Sequence, residues 1–521
     1  MALPILEKVS LNFTDLTGAQ TGCTTLGSNK FWTGWVDKNP DGTCNFECRW
    51  GSTGTAGSDK GSVRNTSEDA ALDQLHKKVN EKQKKGYTKL DTRSVQEEVV
   101  KAAAKGIDLN NGGAPVKATP VVVTPSASYH PEVERLLGVI YNETSRVVRS
   151  GLSAQAGATE DNPIGNLSDR QLDLGGEILD EIGSYLDRHF GDDNASTKNQ
   201  TLPLRANGVP EDRIIDLTNR FMSNVPREIP RESRGLKNLH QIVLSSYARL
   251  EEQRTFLQLL RDAHLAQATF QAAAHVQPGS SKAKVWYDGL GCFIDICEPG
   301  SKDFQWVKGV FDNKQSQKNQ NWFRGGRSTL RVARVFKLTR NGTEAAFDRY
   351  AETVLRKPGA VGKIFAWHGT RTENLMGISK SGLLMPENLP RGVHISGKAF
   401  GKGIYHAPNW AATTHTKVGA LPVDGTNGAL KSMNYTSAQG AYYGSNNTSR
   451  GAFMYLQEVA LGLAEGRTSA CWDQHRPAGW PNNDFIFACG SRNQGGFTHD
   501  ELVTFNQDAQ IFRYLIEVVV D

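Results

Sequence analysis

Apolar positions in the first ninety residues recur with two different periods. Phe31-Trp32-Thr33-Gly34-Trp35-Val36 alternates bulky and small side chains as a strand does. Asn39-Pro40-Asp41-Gly42 is turn chemistry, and Asn45 to Trp50 reads as the returning strand. From Glu68 to Lys82 the spacing changes, and Ala71, Leu75 and Val79 fall at helical intervals. Residues 1–92 therefore predict a small β-rich unit with a helix late in it. Residues 93–129 are rich in Ala, Val, Pro, Ser and Gly and predict a linker.

From 130 to about 275 the pattern is helical. Ser168-Asp169-Arg170-Gln171 has the form of a capping box, and Leu174, Ile178, Ile182 and Leu186 follow on one predicted face. Leu239, Val243, Tyr247, Leu250 and Leu257 predict a later helix in the same way. From 284 to 521 short β-branched runs are separated by Gly-, Asn- and Pro-rich loops. Leu330 to Phe336 and Phe512 to Val518 are two such runs, and the pattern predicts α+β architecture with antiparallel strands.

Composition narrows the class. The 521 residues are 38% hydrophobic, enough for about three globular domains. No apolar run approaches the roughly 20 residues that cross a bilayer, so no membrane partner is expected. The first residues lack a basic stretch followed by an apolar core, and no secretory leader is expected. Seven cysteines are scattered without zinc spacing, which predicts reduced thiols, no metal, and a cytosolic or nuclear setting. A net charge of +5 permits a nucleic-acid partner without arguing for one.

The candidate chemistry lies in the last third of the chain. His368-Gly369-Thr370 follows Trp367, and Gly403-Ile404-Tyr405 follows Phe400-Gly401-Lys402. Lys431-Ser432-Met433-Asn434-Tyr435 comes next, and Glu501 opens Glu501-Leu502-Val503-Thr504-Phe505-Asn506 near the end. Each piece alone is common; their order is not.

With these residues the chain resembles the DNA-dependent poly(ADP-ribose) polymerases, specifically the compact members with a WGR domain, a helical regulatory domain and a catalytic domain. Trp367 to Arg371 is similar to the family's WHG(S/T)R segment, Phe400 to Tyr405 to its FGKGIY strand, and Lys431 to Tyr435 to its KSANY segment. Glu458 to Gly462 is similar to its EVALG strand. Asn162 to Leu167 and Asp216 to Phe221 resemble two signatures of the regulatory domain. The resemblance implies a multidomain α+β protein: a WGR domain at 1–92, a linker at 93–129, an all-α regulatory bundle at 130–275, and a mixed α/β ADP-ribosyltransferase fold with antiparallel sheets at 284–521.

It also implies roles, with NAD+ as substrate. His368 would hydrogen-bond a hydroxyl of the adenine-side ribose. Gly369 would pair with the nicotinamide carboxamide, its missing Cβ letting the ligand approach, and Ser432 would add a hydroxyl there. Tyr405 and Tyr435 would stack on the nicotinamide ring. Thr370 and Asn374 would touch the adenosine half, where Leu384 stands in place of a common arginine. Glu501 would stabilise charge on the ribose and polarise the acceptor hydroxyl, with Lys402 on the acceptor side. Family members pass from GIY to KSANY in a few residues, whereas here 408–430 intervene. A gapless alignment would put Thr413 and Thr416 in the places of Ser432 and Tyr435; five consecutive positions, matching in all but one residue, favour the latter pair.

At the N-terminal end Arg49-Trp50-Gly51-Ser52 carries serine where WGR domains carry their arginine. Trp50 would stack on a terminal sugar or base, and Arg49, Lys60 and Arg64 would contact phosphate. The expectation is a DNA-break-stimulated poly(ADP-ribose) polymerase acting on itself and on chromatin proteins, in the nucleus of a eukaryote or otherwise in the cytoplasm. A mono-ADP-ribosyltransferase with the same site, or a DNA-end-binding scaffold with weak catalysis, are the alternatives.

Overall fold

The computed structural model describes residues 5–16, 28–53, 57–90, 129–152, 158–159, 163–165, 167–191, 197–203, 211–227, 231–232, 235–236, 242–274, 276, 281–315, 329–385, 399–438, 451–470, 483–492, 494 and 497–520. All but the last residue of the expected linker lies outside them, as do Leu239, Asn162 and Asn166. Contacts divide the described chain into two units, one formed by residues up to 125 with 145–271, the other by 126–144, 272–389 and 395–521.

In the first unit β1 (Ile5–Asp15), β2 (Ser28–Lys38), β3 (Cys44–Ser52), β4 (Val63–Thr66) and β5 (Thr88–Leu90) form an antiparallel sheet in the order β4-β3-β2-β1-β5. The turn after β2 closes as its sequence predicts, with Gly42 at φ 87° and its amide donating to the Asn39 carbonyl at 3.0 Å. Helix α1 (Glu68–Gln83) is capped by the Ser67 hydroxyl and lays Ala71, Leu75 and Val79 on Val9, Leu11, Trp32, Val36 and Phe46. The opposite sheet face is polar, because alternate residues point there. It meets α4 (Asp212–Asn224) through Asn12 Nδ2 to the Met222 carbonyl at 3.1 Å, Thr14 N to Ser223 Oγ at 3.0 Å, and Leu16 N to Asn219 Oδ1 at 2.9 Å.

The helices of this unit are the C-terminal end of α2 (Pro131–Gly151), α3 (Asp169–Phe190), α4, α5 (Tyr247–Leu265) and the first residues of α6 (Gln267–Ala274), with a short hairpin β6 (Arg231–Glu232) and β7 (Gly235–Leu236). The capping box at Ser168 and Gln171 forms in both directions. Ile178, Ile182 and Leu186 are buried as the spacing predicts, but Leu174 is exposed. Leu172, Gly175 and Leu179 bury instead, which turns the apolar stripe away from Leu174. The later helix begins only at Tyr247. Ser246 caps it, and Arg249 reaches back to the Val243 carbonyl at 3.0 Å, so the buried Val243 precedes the helix rather than lying in it. Three pairs fix α5 against α3: Arg254 with Asp180, Arg261 with Asp173 and His264 with Asp169, at 2.8–3.1 Å.

The second unit is built on a nine-stranded sheet in the order β15-β16-β17-β11-β10-β14-β18-β9-β8. Its strands are β8 (Cys292–Cys297), β9 (Leu330–Arg340), β10 (Gly362–Thr370), β11 (Ile404–Pro408), β14 (Gly451–Leu461), β15 (Ala464–Arg467), β16 (Phe485–Ala488), β17 (Glu501–Thr504) and β18 (Gln510–Val520). Between β11 and β14 lie a two-residue-armed hairpin, β12 (Lys417–Val418) and β13 (Leu421–Pro422), and the short helix α11 (Ala429–Met433). Every pairing in the large sheet is antiparallel except β15 with β16. Helices α7 (Lys282–Leu290), α8 (Lys302–Asp312), α9 (Thr343–Leu355) and α10 (Leu375–Ser381) pack on it. The N-terminal part of α2 joins this unit, with Tyr141 stacked on Trp286 and Glu132 paired with Arg334 at 2.5 Å. The multidomain α+β architecture with a β-rich N-terminal domain, a helical region and an antiparallel α/β region is thus the one the pattern predicts.

Candidate active site

β10 is bonded to β14 along its whole length but to β11 only through Ala366 and Trp367. His368 follows that last pair, where the two strands part, and its half-buried ring donates to the Tyr405 backbone carbonyl. Desolvation pushes its pKa down to about 4, against that bond's opposing effect, so the ring is neutral at physiological pH. One nitrogen is committed as donor, which leaves the other an acceptor suited to a hydroxyl.

Tyr405 sits on β11, facing Val503 of β17. Its hydroxyl accepts from Phe400 N at 2.8 Å and donates to the Gly401 carbonyl at 2.9 Å. Both bonds lie within its own turn, so the ring orientation is set locally. Lys402 is half-buried in that turn, between Gly401 at φ 86° and Gly403.

Gly369 shows a different reason for glycine than the one expected. A Cβ there would lie 1.8 Å from the Ser432 carbonyl oxygen, so it is α11 that the missing Cβ admits. The buried Ser432 thereby comes directly against the strand that carries His368, and Tyr435, half-buried, follows with its amide bonded to the Ser432 carbonyl at 3.0 Å. Thr413 instead bonds back to the Trp410 carbonyl at 3.1 Å, and Thr416 is exposed. Thr370 is buried and accepts from Asn374 Nδ2 at 3.3 Å. Leu384 is half-buried.

Glu501 is the first residue of β17. His406 faces Leu502 across the β11–β17 ladder, which puts Glu501 one step further along. Two strand spacings separate it from His368, roughly 10 Å between backbones. Lys431 Nζ lies 2.5 Å from Glu501 Oε1, both side chains largely buried. Residue-by-residue reading left Lys431 without a role, although it opens the same five-residue motif; the pair is made between segments far apart in sequence. His406 was also unassigned. Its Nδ1 accepts from Gln457 Nε2 at 2.6 Å and its Nε2 donates to Thr504 Oγ1 at 2.9 Å, tying β14 to β17 beneath the site. Burial, with the nearby His368 ring, pushes its pKa down to about 3.

On the N-terminal sheet Trp50 is exposed at the end of β3, its indole N–H bonded to the Lys60 carbonyl at 3.1 Å. Lys82 of α1 lies over its ring at 5.8 Å. Burial and the neighbouring Lys85, Lys30 and Lys78 lower the Lys82 pKa. Arg49 and Lys60 are exposed. Arg64 departs from expectation: Glu47 Oε1 holds it at 2.7 Å, so a phosphate would have to displace that carboxylate. Ser52 is half-buried and pairs with Lys30 across the strands. The signal for Lys82 was present in the helix pattern, one turn beyond Val79 on the face that meets the sheet.

The chain matches three family models. Residues 7–94 match the WGR domain, 127–281 the poly(ADP-ribose) polymerase regulatory domain, and 301–415 the poly(ADP-ribose) polymerase catalytic domain. The catalytic match contains His368, Gly369 and Tyr405 and stops before Ser432, Tyr435 and Glu501. Poly(ADP-ribose) polymerase 2-A of Oryza sativa subsp. japonica is 22% identical over 368 residues, 68% of this chain and 47% of the relative. Poly(ADP-ribose) polymerase 2 of Arabidopsis thaliana is 22% identical over 380 residues, 69% and 50% respectively. Poly(ADP-ribose) polymerase 1 of Oryza sativa subsp. japonica is 25% identical over 283 residues, 54% and 24% respectively. The alignments span half or less of the length of these curated relatives.

Proposed function

From the premise that this chain has the WGR, regulatory and catalytic architecture of the poly(ADP-ribose) polymerase family, we propose that it cleaves NAD+, releases nicotinamide and transfers ADP-ribose to protein side chains, including its own. The observation that carries this reading is the seating of α11 on Gly369. It puts Ser432 against the strand that carries the neutral His368, with Lys431 of the same helix paired to Glu501 and Tyr435 following the helix, which supports this reading.

The chemistry those residues support is dissociative. The bond between nicotinamide and its ribose breaks with its electron pair leaving on nicotinamide, and positive charge spreads over the ribose. Glu501, paired with Lys431, supplies negative charge at that place and accepts a hydrogen bond from the acceptor hydroxyl, whose proton it takes as the new C–O bond forms. His368 holds a ribose hydroxyl at its free nitrogen. Tyr405 and Tyr435 hold the nicotinamide ring by stacking, and Ser432 with the Gly369 backbone holds its carboxamide. These contacts position the cofactor rather than push electrons.

Stimulation by DNA breaks rests on a second observation: the exposed Trp50 ring with the Lys82 ammonium over it, and exposed Lys60 bonded to its indole through the backbone, offers a stacking face beside cations. A nicked or broken duplex is the proposed activator, chromatin proteins are proposed acceptors, and the nucleus of a eukaryotic cell the proposed location. Incubation with NAD+ labelled in its adenosine half, with and without nicked duplex, tests the whole reading. A ladder of products that needs DNA supports it, a single discrete shift supports single-residue transfer, and unconsumed NAD+ refutes enzymatic activity.

A further inference from the structure

The residues between β11 and α11 form a closed excursion. Asn409 and Asn427 bridge its two ends, and Gly428 N donates to the Pro408 carbonyl at 3.1 Å. Its Trp410 and Val418 are buried with Ile364, Phe485, Phe487 and Leu502, and the Pro422 carbonyl accepts from the buried Cys489 thiol at 3.1 Å. It is therefore a packed part of the unit, not a loop tip.

Its return leg touches the neighbours of the proposed catalytic groups. Asn427 is buried and spends its whole amide: Oδ1 accepts from Trp367 Nε1 at 2.7 Å and from Ala429 N at 2.9 Å, while Nδ2 donates to the Phe311 carbonyl at 2.8 Å. Trp367 precedes His368. Asp424 N donates to Asp500 Oδ2 at 2.9 Å, and Gly490 N donates to Asp500 Oδ1 at 2.8 Å. Asp500 precedes Glu501. The same leg runs on into α11, whose Lys431 holds Glu501. Two cross-links thus join 424–431 to 500–501, one at the backbone of Asp424 and one at the Lys431 ammonium.

Asp500 is buried, and among the described residues its carboxylate has no ion pair. Burying an unpaired carboxylate is costly. Its satisfied partners are two backbone amides, with the Trp410 indole N–H approaching outside strict hydrogen-bond geometry. An ionised carboxylate accepts strongly from both amides at once, whereas its protonated form accepts only weakly at the hydroxyl oxygen and its amide form turns a donor toward one of them.

We propose, on the reading that Glu501 is the catalytic carboxylate, that Asp500 is a positioning residue: it clamps the excursion to the start of β17 and so sets Glu501 against Lys431. The charged and titratable groups around it are Asp424 on the excursion, His499 and Glu501 on its own segment, and Cys489 and the exposed Arg492 flanking Gly490. Burial first, and the Asp424 charge second, raise the Asp500 pKa to about 7. The clamp is then complete above neutrality and loosens as pH falls through that value. His368, with its pKa near 4, does not titrate there.

The test is the rate of nicotinamide release across about pH 5.5 to 8.5 for wild type, Asp500→Asn and Asp424→Asn. Wild type should lose kcat as pH falls through about 7, with KM for NAD+ nearly constant. Asp500→Asn should lower kcat about tenfold at pH 8 through misplacement of Glu501, and abolish that limb. Asp424→Asn keeps its backbone N–H and its side-chain bond to Thr426 N but removes the like charge, so the limb should move to lower pH by roughly half a unit or more. A limb that stays in Asp500→Asn, or that Asp424→Asn leaves in place, overturns the proposal. Hydrogen exchange gives a readout independent of turnover: amides of 423–433 should exchange faster in Asp500→Asn. Wild type that consumes no NAD+ refutes the enzymatic reading, while unchanged exchange refutes the clamp whether or not the protein is active.

Discussion

The candidate active site and the Trp50 edge of the N-terminal sheet solve different problems with similar residues. Around His368 the polar groups are largely enclosed and already spoken for by protein partners: His368 by Tyr405, Glu501 by Lys431, His406 by Gln457 and Thr504. Around Trp50, Arg49 and Lys60 are open to solvent, Lys82 is half-buried over the ring, and Arg64 is tied to Glu47. The first arrangement suits chemistry, because preorganised groups need not reorganise as charge develops. The second suits a polyanion, whose affinity comes from adding independent phosphate contacts. Single changes should therefore be severe in the first region and graded in the second.

The largest effect is expected from Glu501→Gln. It keeps the size of the side chain but loses the charge proposed to act on the ribose and acceptor, so polymer elongation should fall by about 10²–10³ while NAD+ binding stays close to wild type. Product length on a gel and NAD+ affinity by calorimetry check the two halves; polymer of normal length from the mutant sinks the assignment.

Gly369→Ala should come next. Its Cβ would fall inside the Ser432 carbonyl, so α11 must move away, costing about 1–3 kcal/mol of stability and displacing Ser432 and Lys431 from the site. Denaturant midpoints and nicotinamide release should fall together. A variant with full activity would mean that α11 is not part of the site.

At the open edge, Trp50→Ala should weaken binding to nicked duplex by about 1–3 kcal/mol, the worth of one stacked base, without altering activity measured in the absence of DNA. Equal loss of both would show that Trp50 supports the domain rather than the ligand. The smallest effect belongs to Ser52→Arg, which adds one forked cation beside Lys30. The logarithmic salt slope of DNA binding should steepen by about 0.9, and half-maximal stimulation should need less DNA. Two isotherms at different salt decide it, and no DNA binding by wild type or variant would remove DNA as the activator.

The two regions also differ in how far their sequences could be read. His368, Tyr405 and Glu501 each sit in a contiguous stretch whose order is informative, and α1 was legible because Ala71, Leu75 and Val79 repeat at helical spacing. What escaped depends on partners distant in sequence. Nothing local to Arg64 announces Glu47, nothing local to Asp500 announces Asp424, and the closeness of Ser432 to Gly369 exists only once α11 is seated. The expectation that Val243 and Tyr247 share one helix failed because apolar period alone does not see Ser246 capping a new start, with Arg249 turned back on the Val243 carbonyl. Gly369 was singled out for its missing Cβ, but its closeness to the Ser432 carbonyl was not legible in the sequence.

The central claim is that the site is completed by the segment after the excursion, with Tyr435 and Ser432 rather than Thr416 and Thr413. The most direct measurement is the affinity of benzamide, an aromatic carboxamide that mimics nicotinamide, for Tyr435→Ala, Thr413→Ala and Thr416→Ala by calorimetry. Loss of one stacking face should cost about 0.5–1.5 kcal/mol in Tyr435→Ala and nothing in the two threonine variants. Weaker binding in the threonine variants with Tyr435→Ala unchanged would contradict the account.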